Sequence, residues 1–269
     1  MSYRSSKPIT ATINGTPQPI TFELPTTEQP PSVIFPLQHT DGRIIYELSG
    51  ASDIQWIFPN GTTSTASSIN RQMGSGTTYL LVNDFTGVAV TSESTGSIYV
   101  GDTSDVPKGL SQVEFIGTNM TGDILELNHI QDVVYISDNN NIYGDISTLS
   151  GVSSVIDFSG CTNISGDIGA LDVTDQIILT GTVISGTVSV SADGTTWILN
   201  DTLISKVELE NSIINLADHA IALDVEYGYF ECYDNMPTIS STDACIALQV
   251  LRNRHWEIII HESCEYSSS

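Results

Sequence analysis

The sequence predicts a mainly β protein. It is a solenoid with a parallel sheet, preceded by a small β unit and closed by an α/β cap. Three observations predict this. Five copies of one short pattern run end to end from Val113 to Glu208. The stretch before them alternates apolar and polar residues between turn signals. The stretch after them changes from a two-residue period to a helical one.

In chain order, residues 1–38 form an extended N-terminal arm. It carries Pro8, Pro17, Pro19, Pro25, Pro30, Pro31 and Pro36, and proline fixes the backbone and removes hydrogen-bond donors. Ile9, Ala11 and Ile13 alternate ahead of Asn14-Gly15, and Ile20, Phe22 and Leu24 alternate after it, which predicts one hairpin. Pro17 and Pro19 make its pairing edge-like. A lone hairpin is marginal in water, so the arm is expected to order against a partner.

Residues 39–105 read as the small β unit and N-terminal cap. Ile44-Ile45-Tyr46, Ile54-x-Trp56-x-Phe58 and Tyr79-Leu80-Leu81-Val82 are strand-like, with Pro59-Asn60-Gly61 as a turn. Val88-x-Val90 and Ile98-x-Val100 read as a degenerate first coil that covers the open end.

Residues 106–208 hold the copies. They read Val113, Phe115, Thr118, Met120, Gly122-Asp123-Ile124; then Val134, Ile136, Asn140, Ile142, Gly144-Asp145-Ile146; then Ile156, Phe158, Thr162, Ile164, Gly166-Asp167-Ile168. The fourth is Ile177, Leu179, Thr182, Ile184, Gly186-Thr187-Val188, and the fifth is Trp197, Leu199, Thr202, Ile204, with Lys206 in place of the glycine. Phe115, Ile136, Phe158, Leu179 and Leu199 are 21, 22, 21 and 20 residues apart, a period that signals a solenoid. Apolar residues two apart share one face of a strand. No copy buries that face alone, so the copies stack. The polar position (Thr118, Asn140, Thr162, Thr182, Thr202) is expected as an inward ladder that satisfies turn backbone.

Residues 209–269 read as a helix–strand–helix–strand cap. Leu209, Ile213, Leu216, Ala217, Ala220 and Ile221 trace one helix face, and Ser205-x-x-Glu208 is its capping box. Tyr229–Tyr233 is a strand, Asp243–Arg254 a second helix, and Trp256 with Ile258-Ile259-Ile260 a last strand.

The order apolar-x-apolar-x-x-Thr/Asn-x-apolar, then x-Gly-Asp-Ile, resembles leucine-rich repeats. Asn119-Met-Thr-Gly-Asp-Ile124 and Asn163-Ile-Ser-Gly-Asp-Ile168 look most like the short repeats of plant receptors, bacterial surface proteins and bacteriophage proteins. The resemblance implies a right-handed solenoid and spans about a third of the chain. The copies depart from it in having few leucines and one extra residue in the bends before Asn140 and Thr162. An unrelated parallel β-helix would stack in a similar way. The Trp-x-Phe-Pro-Asn-Gly-Thr run and the C-terminal tail also resemble segments flanking such repeats in bacterial and phage proteins.

Composition limits the function. The chain has 32 acidic and 8 basic residues, a net charge of −24, which repels nucleic-acid phosphates and anionic membranes. No apolar run reaches membrane-spanning length, so neither nucleic acid nor membrane insertion is expected. Residues 1–8 lack the apolar core of a secretory signal, and synthesis in a host cytoplasm is expected. Cys161, Cys232, Cys245 and Cys264 form no Cys-x-x-Cys pair and read as buried thiols.

No nucleophile elbow, phosphate loop or metal-binding histidine pair occurs, and His39, His129, His219, His255 and His261 share no position in the pattern. No catalytic, cofactor-binding or metal residue is assigned, and no cofactor. Asp123, Asp145 and Asp167 recur at one position and read as solvated turn residues, with a Ca²⁺ ladder as the alternative. Asn14, Asn60, Asn119, Asn163 and Asn200 fit glycosylation acceptors but read as turn and ladder residues.

The resemblance implies a non-enzymatic virion component of a bacteriophage, whether a fibre, decoration or receptor-binding protein. Its partners would be sister subunits or other virion proteins through the arm, in a homo-oligomer, and a host surface protein or glycan. A bacterial repeat adhesin or scaffold, and a β-solenoid carbohydrate-degrading enzyme, are the alternatives.

Overall fold

The computed structural model describes residues 10–13, 16–19, 33–39, 42–82, 86–92, 98–99, 102–106, 108, 110–116, 118–188 and 196–264. The protein is mainly β, with parallel sheets. The largest sheet has ten strands. Eight are parallel and follow one another in space as Gly87–Ser92, Gln112–Ile116, Val133–Ser137, Val155–Asp157, Gln176–Ile178, Thr196–Ile198, Tyr229–Cys232 and Glu257–Ile260. Gly42–Ser49 and then Ser68–Met73 extend it antiparallel beyond Gly87–Ser92.

Parallel neighbours need a crossover, and each repeat copy supplies one. In the first three copies the chain leaves a main-sheet strand, bends, runs through a short second strand and returns by a 3₁₀ turn. The short strands Gly122–Asp123, Ile142–Asp145, Ile164–Asp167 and Val183–Ser185 form a second parallel sheet. The turns are Ile124–Leu127, Ile146–Leu149 and Ile168–Ala170. Between the two sheets lies the core. Val113 pairs with Val134 and Phe115 with Ile136, while Ile156 pairs with Ile177 and Ile177 with Trp197. Phe115, Ile136, Phe158, Leu179 and Leu199 are each fully buried.

Ahead of the copies, Val88 and Val90 lie in register with Val113 and Phe115, as a degenerate first strand should. Ile98–Tyr99 does not continue that coil; it pairs antiparallel with Val33–His39. All but the last residue of Val33–His39 falls in the predicted arm, yet it is a strand of a five-stranded antiparallel sheet. The others there are Ile98–Tyr99, Gly76–Val82, Gln55–Ile57 and Thr63–Ser64. The unit at 39–105 is therefore divided between this sheet and the main one. Tyr46 of the main sheet stacks on Trp56 of the other at 5.0 Å between ring centroids, and both are fully buried. Thr10–Ile13 pairs antiparallel with Thr16–Pro19. The Asn14-Gly15 turn and the Ile20, Phe22, Leu24 alternation lie outside the described residues.

After the copies comes helix α1, Lys206–Ala222, capped by Ser205 and Glu208 in a reciprocal box. It buries Leu209, Ile213, Leu216, Ala217 and Ala220, whereas Ile221 faces solvent. Helix α2, Thr242–Asn253, buries Ala244, Ala247, Leu248 and Leu251. Tyr229–Cys232 and Glu257–Ile260, after α1 and α2 respectively, add two further strands to the main sheet. The expectation of four buried thiols needs correction. Cys245 and Cys264 form a disulfide, while Cys161 and Cys232 are free and buried. The two partners lie 19 residues apart, so no short motif announced them. Among the described residues no helix is long and apolar enough to cross a membrane.

Candidate functional site

The recurring aspartates are the first candidates, and their geometry is that of caps. Asp123 accepts a hydrogen bond from the Leu125 amide at 2.9 Å, Asp145 from the Ser147 amide at 3.0 Å, and Asp167 from the Gly169 amide at 2.8 Å. Each carboxylate satisfies an amide that the first turn of its 3₁₀ segment leaves unpaired. The preceding glycine has a matching reason. Gly144 and Gly166 have φ of +141° and +113°, where a Cβ is strained. A Cβ on Gly144 would stand 2.6 Å from Asp123 Oδ1, and on Gly166 and Gly186 it would overlap Asp145 and Asp167. Each copy's glycine thus seats the previous copy's aspartate. Among the described residues no group of three or more His, Cys, Asp or Glu could hold a metal.

One member of this series escaped the sequence analysis. Asp102 caps the 3₁₀ turn Thr103–Asp105 and bridges to Thr121. Its spacing to Asp123, 21 residues after a Gly101-Asp102 pair, was the signal. Hydrogen bonds from Ser104, backbone first, lower its pKa.

The inward polar ladder is shifted in two copies. Asn140 and Thr162 are exposed, and Asn139 and Cys161 point inward instead. Asn139 Oδ1 accepts from the Met120 amide at 2.8 Å, and its Nδ2 donates to Ser137 O at 2.9 Å. The Cys161 thiol donates to Ile136 O at 3.1 Å, and burial pushes its pKa up to about 12. Thr118, Thr182 and Thr202 are buried as expected, and the last two donate to Leu179 O and Leu199 O. The extra residue of copies two and three therefore lies after the inward position, not before it.

The histidines do not converge. His129 Nδ1 lies 2.8 Å from Glu126 O, His255 stacks on Tyr227 and His261 on Tyr233. Nε2 of His219 is buried with no hydrogen-bond partner among the described residues.

What the fold does bring together is the outer face of the main sheet. Side chains that alternate with the core stand there in two rows, all of them half-buried except Asp157, which is buried. One row is Gln112, Val133, Val155, Gln176, Thr196 and Tyr229. The next is Glu114, Tyr135, Asp157, Ile178, Ile198 and Glu231. No lysine or arginine occurs on these strands. Asp157 is 2% exposed and accepts from the Ser159 amide at 2.8 Å, from its hydroxyl at 2.7 Å and from the Tyr135 hydroxyl. Burial outweighs these bonds and raises its pKa. Further along, Glu231 accepts from Tyr229 Oη and Asn200 Nδ2. That bond, more than burial, pushes the Tyr229 phenol up to about 12. The face is a fixed array of aliphatic, aromatic, amide and carboxylate groups. It has the makings of a recognition surface. In the repeat strands the residues beside the named inward positions face outward by alternation, but no sequence signal marked the Tyr229–Glu231–Asn200 network, which joins positions up to 31 residues apart.

Comparison of the chain with protein-family models, curated proteins and solved structures yields no match.

Proposed function

We propose that the chain is a non-enzymatic attachment component of a bacteriophage particle: a fibre, decoration or receptor-binding protein that lives on the virion. In this reading the copies at 106–208 form a leucine-rich-repeat-like right-handed solenoid. The main-sheet face binds a host surface protein or glycan, and the N-terminal arm joins sister subunits or other virion proteins. The observation that carries it is the uninterrupted outer face, ordered by stacked copies and provided with mixed polar and apolar side chains. The disulfide Cys245–Cys264 suits a protein that works outside a reducing cytosol. It suits a bacterial surface adhesin equally, the second reading.

The test is attachment. Purified chain labelled with a fluorophore should decorate host cells and compete with infecting particles. A double replacement of Tyr135 and Tyr229 by alanine on the sheet face should abolish decoration with circular dichroism unchanged. Cell binding that ignores the sheet-face substitutions, or a chain absent from purified particles, overturns the reading.

A further inference from the structure

A cleft lies outside the repeat copies. It lies where the turn after Gln55–Ile57 meets the short connection from Ser68–Met73 of the main sheet to Gly76–Val82 of the five-stranded sheet. Its volume is about 210 Å³, and it is lined by Phe58, Pro59, Asn60, Arg71, Gln72 and Met73, with Gly74 and Ser75 at the rim. The Arg71 guanidinium carbon stands 4.4 Å from the centre of the Phe58 ring. Stacking on an aromatic face engages the plane of a guanidinium and leaves its N–H edges free to donate.

That arginine is unusual in this chain. Lys108 faces Glu126, Lys206 faces Glu210, Arg252 faces Glu262 and Arg254 faces Asp224, all within 3.7 Å. Arg43 donates to Asn70. Among the described residues Arg71 has neither a carboxylate nor a hydrogen-bond acceptor, although acids outnumber bases by 32 to 8. Its neighbours are neutral groups able to hydrogen-bond. Asn60 Oδ1 already accepts from the amide and hydroxyl of Thr62, which leaves its Nδ2 as a donor, and the Gln72 amide and Ser75 hydroxyl can both donate and accept.

We propose that this cleft binds the carboxylate of an acidic sugar unit, with Arg71 as the anion-binding group. A single guanidinium matches one negative charge in a planar, two-oxygen geometry, whereas a phosphate dianion calls for more cationic charge than the cleft offers. The volume is below that of a site for a drug-sized molecule and suits one end unit of a chain. The amide and hydroxyl rim matches sugar hydroxyls, which also both donate and accept. The other acids of the protein oppose an anion only at long range, and salt screens that repulsion beyond roughly 8 Å.

The site is separate from the sheet face, so a titration of the isolated chain tests it without reference to attachment. Glucuronate, glucose, acetate and inorganic phosphate are titrated into ¹⁵N-labelled protein. Glucuronate should give saturable shifts at Phe58–Thr62 and Arg71–Ser75, and glucose, acetate and phosphate should bind at least about tenfold more weakly. Arg71→Gln should lose glucuronate binding, and Arg71→Lys should lose most of it because the fork is gone. Gly74→Trp provides a control that leaves Arg71 intact. A Cβ at Gly74 meets nothing within 4 Å, so the indole can close the mouth without disturbing the core. Equal binding of glucose and glucuronate, tighter binding of acetate or phosphate, or unchanged glucuronate binding in Arg71→Gln or Gly74→Trp would overturn the proposal.

Discussion

Gly166 and Asp145 show how single residues join one copy to the next. The glycine's φ of +113° and its lack of a side chain serve the carboxylate of the copy before it. Gly166→Ala should therefore cost about 1–3 kcal/mol from backbone strain and contact. Asp145→Ala should cost about 1 kcal/mol as a lost cap. The double variant should be less destabilised than the sum, because removing the carboxylate relieves the contact but not the strain. Urea unfolding of the three proteins checks this, and strict additivity would refute the interlock. Asp157 carries a pH signature. Its folded pKa lies above the ordinary 3.8 because of burial, so the native state keeps this proton where the unfolded chain has lost it. Stability from this group is gained as pH falls through the raised value and is fully present below the ordinary one. Asp157→Asn cannot make that gain. Its stability relative to the parent should be greater at about pH 7 than at about pH 4, as read from urea midpoints across that range; a constant difference would exclude the effect. The polar ladder shows what a sequence hides at this scale. Asp138-Asn139-Asn140-Asn141 offers four polar residues for one inward place, and only the corner, with Asp138 at φ +56°, selects Asn139. The same corner, with Gly160 at φ +74°, selects Cys161.

At the scale of elements, the repeat strands were legible because each keeps a strict two-residue alternation and a near-constant period, so Val113 and Phe115 announce Val134 and Ile136. The five-stranded sheet was not, because Val33–His39 contains Pro36 and reads as arm. It becomes a strand only by pairing with Gly76–Val82, partner by partner 37 to 49 residues later, and such distant pairing leaves no local mark. Helix α1 was legible from its cap and period and α2 from its period; Ile221, read as part of the α1 face, turns to solvent, as does Ile246 of α2. Their faces are set by what they pack on, which the sequence does not state. The segment from α2 to the last strand is closed by Cys245–Cys264. Reducing that bond relaxes a loop of 19 residues, which should lower stability by about 3 kcal/mol. A shift of the urea midpoint with reductant, absent from Cys245→Ser with Cys264→Ser, would show it; a reductant-insensitive parent would argue against the bond. Removing residues 209–269 deletes all but the first three residues of α1, both last strands and α2. It should expose the Thr196–Ile198 edge and cause aggregation, as light scattering would report. A soluble, monomeric truncation would mean that this edge needs no cover.

For the whole molecule, the strand Val33–His39 sets where the arm can be cut. Deleting 1–32 spares that strand, whereas a cut at residue 35 would remove part of a sheet. The shortened chain should keep its circular dichroism and melting temperature and lose self-association in analytical ultracentrifugation. Retained assembly would move the attachment surface to the body. The fit between each aspartate and the next glycine has a further consequence: the molecule is extensible. The junctions between the first four copies use the same male and female parts, so a whole period can be taken out or duplicated among them without inventing a new joint. Removing residues 144–165 would set Gly166 against Asp123, as Gly144 stands now. Each added period would lengthen the main sheet by about 4.8 Å, so the reach of the protein can change in fixed steps while both ends stay as they are.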